Sequence, residues 1–394
     1  MSAAVTCRVG DLCEQLRGVS YSRSDATQSN QAGYKAVLRA NNITKHGLTF
    51  DDLVYVPESC ISERQLLKAG DVVIAASSGS LDVVGKAAHV VRDLPAGFGA
   101  FCKVLRPNSL VDAGYFAHYF QTPNYRSKIS SLAAGANINN IRNEHLDNLE
   151  IRLPTLPEQR RIAAILDKAS ALRTRRRAAI AKLDELLQSV FIHMFGDPIT
   201  NPKAKVEELS ELCSRITDGT HQSPQWAESG VPFLFQSNVK PFEIDFSTKK
   251  SISVEEYKSL TARCPIEYGD VLFTIVGSYG NAAMVKTQEK FCFQRHIAHL
   301  KPHKDVLPQF LEAMLNQKAI KQQADERVTG VAQKTLILKE LRALKVLHPP
   351  LIEQQKFSVI VTKIQTIKSE MRRSAEKLDE LFLSLQQRAF SGKL

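Results

Sequence analysis

The stretch that decides the architecture of this sequence is PTLPEQRRIAAILDKASALRTRRRAAIAKLDELLQSVFIHMFGDP, from Pro154 to Pro198. A second copy, PPLIEQQKFSVIVTKIQTIKSEMRRSAEKLDELFLSLQQRAFSGKL, runs from Pro349 to Leu394. The Glu-Gln pairs and the KLDEL blocks of the two copies both lie 195 positions apart, so the copies align without a gap. A repeat in one fixed register predicts two tandem units, each with a globular part followed by a long helix.

Apolar residues recur every seven positions in both copies, a pattern typical of a coiled coil. In the first copy the two columns are Ile165, Leu172, Ala179, Leu186 and Ile162, Ala169, Arg176, Leu183, Val190. In the second copy they are Ile360, Ile367, Ser374, Leu381 and Phe357, Ile364, Met371, Leu378, Leu385. Two like units related by a pseudo-twofold axis would place such helices antiparallel, which we predict here. The alternative is two surface helices, each packed only on its own domain.

The composition is that of a basic, water-compatible protein of 394 residues. Its 52 Lys and Arg outnumber 41 Asp and Glu, for a net charge of +11, which predicts a polyanionic partner and most simply nucleic acid. The alternative is a basic protein with no polyanion to bind. No apolar run approaches the length of a transmembrane helix, and the first residues do not resemble a secretion signal. Seven cysteines without a CxxC pair favour reduced thiols, so we expect a cytoplasmic protein.

The remaining sequence divides into two globular parts of mixed α/β character. The predicted boundaries are 1–152, 153–198 for the first helical spacer, 199–346, and 347–394 for the second spacer. In the first part we predict strands at 33–38, 71–75 and 149–153, a helix over 113–131 interrupted at Pro123, and a polar loop at 135–140. Gly70-Asp71-Val72 is answered by Gly269-Asp270-Val271, and Asn42-Ile43 by Asn238-Val239, whereas most other residues differ. Two similar scaffolds with different surfaces predict two readers of different targets.

Several of these segments resemble one known family. The segments PTLPEQRR and PPLIEQQK, both KLDEL blocks and the final FSGKL are similar to the specificity subunit of type I restriction–modification systems. In the second globular part the resemblance extends to Thr217-Asp218-Gly219-Thr220-His221, to Gly230-Val231-Pro232-Phe233, to Gly269–Phe273 with Gly277–Gly280, and to Gln333-Lys334. The first part departs from the pattern, because Gly18-Val19-Ser20 stands where Asp-Gly-Thr-His is expected.

The resemblance implies an α/β (α+β) fold with two tandem target-recognition domains joined by two long helices in an antiparallel coiled coil. Each domain would read one half of a bipartite site on double-stranded DNA, while the helices set the gap between the halves. The subunit would have no catalytic activity and bind no cofactor. Its partners would be two methyltransferase subunits, which use S-adenosylmethionine to methylate adenine, and restriction/translocase subunits that use ATP and Mg. The exposed sides of the helices would dock the methyltransferase subunits.

DNA contacts are expected from polar and basic loop residues, since Arg and Lys pair with guanine and Asn and Gln with adenine. The candidates in the first domain are Ser77, Ser78, Ser80, Arg126, Lys128, Asn137, Asn139, Asn140 and Arg142. The candidates in the second domain are Thr217, Asp218, Thr220, His221, Gln236, Asn238, Ser278, Tyr279 and Lys334. The basic run from Arg173 to Arg177 is either a solvated helix face or a contact to DNA phosphates.

Enzyme motifs are absent from the sequence. It has no P-loop, no GxSxG, no HExxH and no Asn/Asp-Pro-Pro-aromatic signature of amino-methylating enzymes. Cys292, His296, His299 and His303 are residue types that bind zinc, but we predict no metal site because a single strand would place His299 on the opposite face from Cys292 and His296. The rival interpretations are a free-standing two-domain DNA-binding regulator and a standalone methyltransferase with an unusual cofactor site.

Overall fold

The computed structural model describes residues 5–44, 47–133, 139–221, 223–330 and 333–394. The chain forms two compact units, which we call unit 1 (residues 1–177 and 373–394) and unit 2 (residues 178–372). Both long helices pass from one unit into the other, so each unit holds half of each helix. Among the described residues, none of the helices combines the length and the apolar character that a membrane crossing requires.

Unit 1 contains thirteen of the described strands, and its first three α-helices are short. Strands β1 to β13 are Val5–Arg8, Cys13–Arg17, Tyr34–Leu38, Ile43–Thr44, Gly47–Leu48, Val54–Pro57, Val72–Ala75, Ser77–Ser78, Ala87–His89, Ala96–Phe98, Cys102–Pro107, Asn139–Asn140 and Glu150–Leu153. Helices α1 to α4 are Ala113–Tyr119, Pro123–Ala133, Asn143–Asp147 and Leu156–Phe195, the last of which continues into unit 2.

Unit 2 follows the same plan. Strands β14 to β27 are Gly196–Asp197, Asn201–Pro202, Lys205–Glu208, Cys213–Asp218, Trp226–Ala227, Val231–Leu234, Val239–Lys240, Glu243–Ile244, Ser251–Ile252, Val271–Thr274, Ala282–Met284, Cys292–Phe293, Ile297–Pro302 and Lys345–His348. Helices α5 to α10 are Leu209–Leu212, Val254–Thr261, Pro308–Leu315, Lys318–Arg327, Leu338–Arg342 and Leu351–Ser391. Helix α10 ends in unit 1.

The two units share their sheet topology. The central sheet of unit 1 has the order β2-β11-β7-β9, and that of unit 2 the order β17-β26-β23-β24, both antiparallel throughout. Beside each lies a parallel pair, β3 with β10 and β19 with β25. The all-buried runs of β7 and β23 place both faces of the central strand in the core. The predicted shared skeleton is therefore confirmed.

A buried carboxylate ties the start of the central strand to its neighbour in each unit. In unit 1 Asp71 accepts two bonds of 2.8 Å from the guanidinium of Arg106. In unit 2 Asp270 accepts from His299 at 2.6 Å and from Lys301 at 2.9 Å. Burial opposes ionisation of Asp270, but these donors outweigh it and lower the pKa of the carboxyl group. The Gly-Asp-Val repeat is thus a structural pair rather than a site.

The repeated Glu-Gln pair also has a structural function. Gln159 accepts the backbone N–H of Asp112 at 2.8 Å and donates to the carbonyl of Pro154 at 2.8 Å. Its counterpart Gln354 accepts the backbone N–H of Leu307 at 2.8 Å and donates to the carbonyl of Pro349. Both amides are buried, and each one joins the first turn of a long helix to the residue that caps α1 or α7. Fully paired buried amides of this kind fix where the helix meets its domain.

The repeated KLDEL block pairs the two long helices within each unit. In unit 1 Asp379 accepts from Arg173 Nε at 2.5 Å, and the Arg173 guanidinium lies 4.2 Å from the centre of the Phe382 ring. In unit 2 the equivalent Asp184 binds Lys368, whose side chain is buried. Residue numbers rise on one helix as they fall on the other, so the segments are antiparallel in both units. The predicted antiparallel packing is confirmed.

One of the two predicted heptad columns is wrong in each helix. Leu172 and Leu186 are 50% and 48% exposed, and Ile367 and Leu381 are 43% and 51% exposed. The more buried column lies one residue later, through Leu166, Arg173, Ile180 and Leu187 in α4, and through Val361, Lys368, Ala375 and Phe382 in α10; of these, Arg173, Ile180 and Ala375 are half-buried. Apolar periodicity missed this column because Arg173 and Lys368 lie in it, neutralised by aspartates.

Most predicted short elements are confirmed, with two corrections. The predicted helix at 113–131 forms as α1 and α2 with a break before Pro123, and the strand at 149–153 forms as β13. The predicted polar loop at 135–140 lies partly outside the described residues, and its last two residues pair as β12 with β8. The predicted single strand FCFQRHIAHLKP, residues 291–302, is wrong, because a turn at 294–296 separates β25 from β26. That turn is where the candidate site begins.

Candidate nucleic-acid interface

Backbone hydrogen bonds hold the loops that carry the predicted DNA contacts in each unit. Val19 donates its N–H to the carbonyl of Phe98 in unit 1, and Thr220 donates to Phe293 in unit 2. The glycines just before them allow this close approach, since a Cβ on Gly18 would lie 2.1 Å from a backbone oxygen and one on Gly219 would lie 2.3 Å away. Gly18-Val19 therefore takes the structural place of Gly219-Thr220, although its side chains differ.

In unit 2 the segment after β17 lines two adjoining clefts. Asp218 and His221 border both clefts, and His221 Nε2 donates to the Asp218 carboxylate at 3.0 Å. His221 is exposed, while Thr217 and Thr220 are partly buried along the wall of the first cleft. Arg295 and His296 form the opposite wall of the second cleft, where burial lowers the pKa of His296. This segment presents hydroxyl, imidazole and guanidinium groups at one surface.

A cluster of glutamines lies beside these clefts. Gln294, in the turn after β25, donates through Nε2 to Oε1 of Gln236. The two residues meet because β19 and β25 are neighbouring parallel strands and each glutamine lies just after the end of its strand. Gln333 approaches from a third segment, with its Nε2 3.7 Å from the point where a Cβ on Gly277 would lie; Gln236 Nε2 is 4.0 Å from that point. Two of the three amides, those of Gln333 and Gln236, thus lie beside one glycine.

The other predicted contacts of unit 2 divide into exposed and structural residues. Ser278 and Lys334 are exposed, and the Lys334 carbonyl accepts the N–H of Gly277. Tyr279 is buried, and its hydroxyl donates to Asp325 at 2.6 Å. Asn238 is also buried: its Oδ1 accepts the N–H of Phe235, and its Nδ2 donates to the carbonyl of Asp245, both at 2.9 Å. The Asn238 amide and the Tyr279 hydroxyl thus bond within the protein, and both residues are buried.

Asn42 shows why Asn238 has this arrangement. In unit 1 Asn42 makes the same two bonds, from the N–H of Arg39 at 2.9 Å and to the carbonyl of Asp51 at 2.8 Å. The repeated Asn-Ile and Asn-Val pairs therefore mark a turn that both units need. The repeat of this asparagine in both units is explained by backbone geometry.

The corresponding surface of unit 1 is a cleft of about 600 Å³. Ser77 lines it together with Arg39, Ala40 and Phe101, whose ring is 69% exposed. Ser77 and Ser78 form β8 and pair with Asn140 and Asn139 of β12. Ser80 is exposed just beyond this pair. The same strand pairing occurs in unit 2 as the isolated bridge between Val276 and Thr335.

The remaining candidates of unit 1 lie on helices or outside the described residues. Arg126 donates from α2 to the carbonyls of Val84 at 2.6 Å and Asp82 at 3.3 Å, so its guanidinium secures a loop. Lys128 is exposed on the same helix, and Arg142 is exposed and paired with Glu144 at 3.0 Å. Asn137 lies outside the described residues. Asn140 presents an exposed side chain.

Sequence reasoning missed four residues at these surfaces: Arg39 and Phe101 in unit 1, and Gln294 and Arg295 in unit 2. Their positions follow from the two parallel strand pairs, which no local pattern marks. Gln333 had a signal, because it adjoins Lys334 in a segment that carries the family resemblance. Among the described residues, no group of three or more His, Cys, Asp or Glu side chains could hold a metal ion. The His299 ring is instead hydrogen-bonded to the Asp270 carboxylate.

Comparison with known proteins identifies the class. The model of the type I restriction modification DNA specificity domain matches residues 1–182 and 205–379, which together are most of the chain. The chain therefore belongs to the family of type I restriction–modification DNA specificity proteins.

Individual relatives agree with this assignment. The chain is 30% identical to the type I restriction enzyme EcoKI specificity subunit of Escherichia coli strain K12, over 99% of this chain and 89% of that protein. It is 28% identical, over the same shares, to the StySPI specificity subunit of Salmonella potsdam. Among solved structures, a chain from a study of type I R-M complex assembly superposes with a TM-score of 0.55 at 17% identity, covering 100% of this chain and 99% of that one. The S subunit from M. genitalium gives 0.51 at 15%, covering 98% and 96%. These two structures support the fold.

Proposed function

We propose that this protein is the DNA specificity subunit of a type I restriction–modification complex, in which unit 1 and unit 2 each read one half of a bipartite site. The observation that carries the proposal is the pair of equivalent loop platforms. Gly18 and Gly219, and the strand pairings at Ser77 and Val276, hold the loops on the same backbone bonds in both units. The side chains on these platforms differ, as two readers of different sequences require.

The long helices would set the gap between the half-sites and dock two methyltransferase subunits. The exposed Leu172, Leu186, Ile367 and Leu381 support the docking role, because they form apolar positions outside the buried column of each helix. In this proposal the subunit has no catalytic activity. S-adenosylmethionine, ATP and Mg would be used by the methyltransferase and restriction subunits.

The test exchanges one reader at a time. Residues 199–346 are replaced by the matching segment of a relative with a different target, and the chimera is assembled with the methyltransferase subunits and S-adenosylmethionine. Mapping of methylated adenines should show one half of the site changed and the other half retained. The reciprocal exchange of residues 1–152 is the control and should change only the opposite half. A change in both halves from either exchange would contradict the modular proposal.

A second measurement separates this proposal from its rivals. The purified subunit alone, mixed with S-adenosylmethionine and DNA, should transfer no methyl groups, which distinguishes it from a standalone methyltransferase. Added methyltransferase subunits should give methylation at one bipartite site. If they neither bind the chain nor gain a target, the free-standing regulator is the better interpretation.

A further inference from the structure

We infer that unit 2 reads an adenine in the major groove through the linked amides of Gln236 and Gln294. The inference rests on the proposed function, since it names a base that this unit contributes to the target. It starts from one hydrogen bond: Gln294 Nε2 donates to Gln236 Oε1. That bond fixes which end of each amide points away from the pair.

Two polar atoms of the linked pair, one a donor and one an acceptor, take no part in this bond. With Gln236 Oε1 occupied, its Nε2 remains as the donor; with Gln294 Nε2 occupied, its Oε1 remains as the acceptor. Within the described ranges, neither of these two atoms has another hydrogen-bond partner. Both side chains are partly exposed, so a ligand can reach them without displacing the core.

Adenine is the base that complements this arrangement. In the major groove, adenine presents the N7 acceptor beside the N6 amino donor, whereas guanine presents two acceptors, cytosine a donor and thymine an acceptor with a methyl group. Gln236 Nε2 would donate to N7, and Gln294 Oε1 would accept from the N6 amino group. Two different residues would therefore do together what one glutamine does in a bidentate contact.

The backbone beside the pair leaves space for a base edge. Gly277 adjoins the Gln236 amide with an exposed backbone and a positive φ of 69°. An L side chain is strained at that φ, and its Cβ would lie 4.0 Å from Gln236 Nε2. Glycine thus keeps the face of the pair open.

Unit 1 lacks this chemistry at the same backbone positions. Gly99 takes the place of Gln294, because each donates its N–H to the last residue of the neighbouring parallel strand, Leu38 or Leu234. Ala40 takes the place of Gln236 at the start of the equivalent turn. The adenine contact therefore belongs to unit 2 alone, and the cleft of unit 1 reads something else.

The experiment changes one atom of the pair. Gln236→Glu keeps the oxygen that accepts from Gln294 but replaces the Nε2 donor by a second acceptor. Glu accepts from the cytosine amino group, so the preference should move from adenine to cytosine at a single position of the unit 2 half-site. The preference for adenine at that position should fall by about 5- to 150-fold. Gln288→Glu, an exposed residue of the same unit, is the matched control for the added charge and should leave the target unchanged.

The measurement uses the full chain with its methyltransferase subunits on a library of randomised sites. Gln236→Ala serves as the second variant and should relax the same position without favouring cytosine. Replacing the adenine by 7-deazaadenine removes N7, which should weaken methylation by the unaltered protein but add little to the effect of Gln236→Glu.

Three results would overturn the inference: an unchanged target for both Gln236 variants, relaxation at a G·C pair, or equal sensitivity of the unaltered protein and Gln236→Glu to 7-deazaadenine. These outcomes are separate from failure of the proposed function. That failure would appear as the absence of any bipartite target for the unaltered complex.

Discussion

Gln386 occupies a position in unit 1 where its amide has no partner, and we expect its replacement by methionine to stabilise the protein. The side chain is completely buried in α10, and neither its Nε2 nor its Oε1 has a hydrogen-bond partner among the described residues. Its repeat counterpart in unit 2 is Phe191, which packs against Phe195, Phe310 and Phe357 at ring-centre distances of 5.2–6.0 Å. Unit 1 therefore buries a polar group where unit 2 buries a ring.

The magnitude follows from the missing bonds. A buried polar group without a partner costs about 1–3 kcal/mol, and methionine fills a similar unbranched volume without a group that needs one. Gln386→Met should therefore raise the free energy of unfolding of unit 1 by about 1–3 kcal/mol. For a unit of this size, each kcal/mol raises Tm by about 2–4 °C.

The matched control is the same substitution at Gln159, an equally buried glutamine in unit 1. Its amide accepts the N–H of Asp112 and donates to the carbonyl of Pro154, so Gln159→Met leaves both backbone groups unpaired. We expect that variant to lose about 1–3 kcal/mol for each unpaired group. In urea unfolding followed by far-UV circular dichroism, Gln386→Met should move the transition to a higher urea concentration and Gln159→Met should move it to a lower one. If Gln386→Met destabilises unit 1 as much as Gln159→Met, the Gln386 amide has a partner and the reasoning is wrong.

Three further outcomes are expected. Asp270→Asn should destabilise unit 2 by about 3–5 kcal/mol at neutral pH, because it leaves Lys301 and His299 without their buried carboxylate. The pKa of Asp270 is lowered in the folded state, so its contribution to the free energy of unfolding is present above the unfolded pKa near 3.9. That contribution is lost as the pH falls through the folded pKa. In urea unfolding between about pH 2 and 5, the stability of the variant should therefore depend less on pH than that of the unaltered protein. Asn238→Ala should lower stability by about 1–3 kcal/mol and leave the methylated sequence unchanged; a shifted sequence would restore Asn238 as a base contact. Four helix-forming residues inserted after Ala178 should lengthen α4 by about 6 Å. The gap in the target should then widen by one or two base pairs, while both half-sites stay the same. An active variant with an unchanged gap would show that the helices do not set the gap.

The long helices could be predicted from the sequence because they occur twice in one register. Their period and their antiparallel packing are correct, but the choice of the second buried column is not. A heptad can place its second apolar column three or four residues after the first, and apolar counts favoured the former. The structure uses the latter, since Asp379 and Asp184 neutralise the Arg173 and Lys368 that lie in it. A search for apolar residues at heptad spacing does not detect a buried column that contains charged residues.

The candidate site was harder to predict, because it is assembled by strand pairing between distant segments. Gln236 and Gln294 are 58 positions apart, and only the parallel register of β19 with β25 brings their amides together. At Asn238 the sequence carried a signal for a structural role. Its polarity and loop position suggested a base contact, whereas the match with Asn42 in the repeat was the signal that both asparagines hold a turn.

The repeated helices are alike in sequence and the repeated loops are not, and the bonds that hold each of them explain the difference. The helices pair through side chains, so the aspartate of each KLDEL block requires its Arg or Lys partner on the other helix, and the two copies remain alike. The loop platforms are held by backbone groups instead: the approach at Gly219 and the turn at Gln294 use N–H and C=O groups that every residue has. A loop held by backbone hydrogen bonds can carry different side chains without losing those bonds. Unit 2 can therefore present linked glutamines where unit 1 has alanine and glycine, and the two units can read different bases on one architecture.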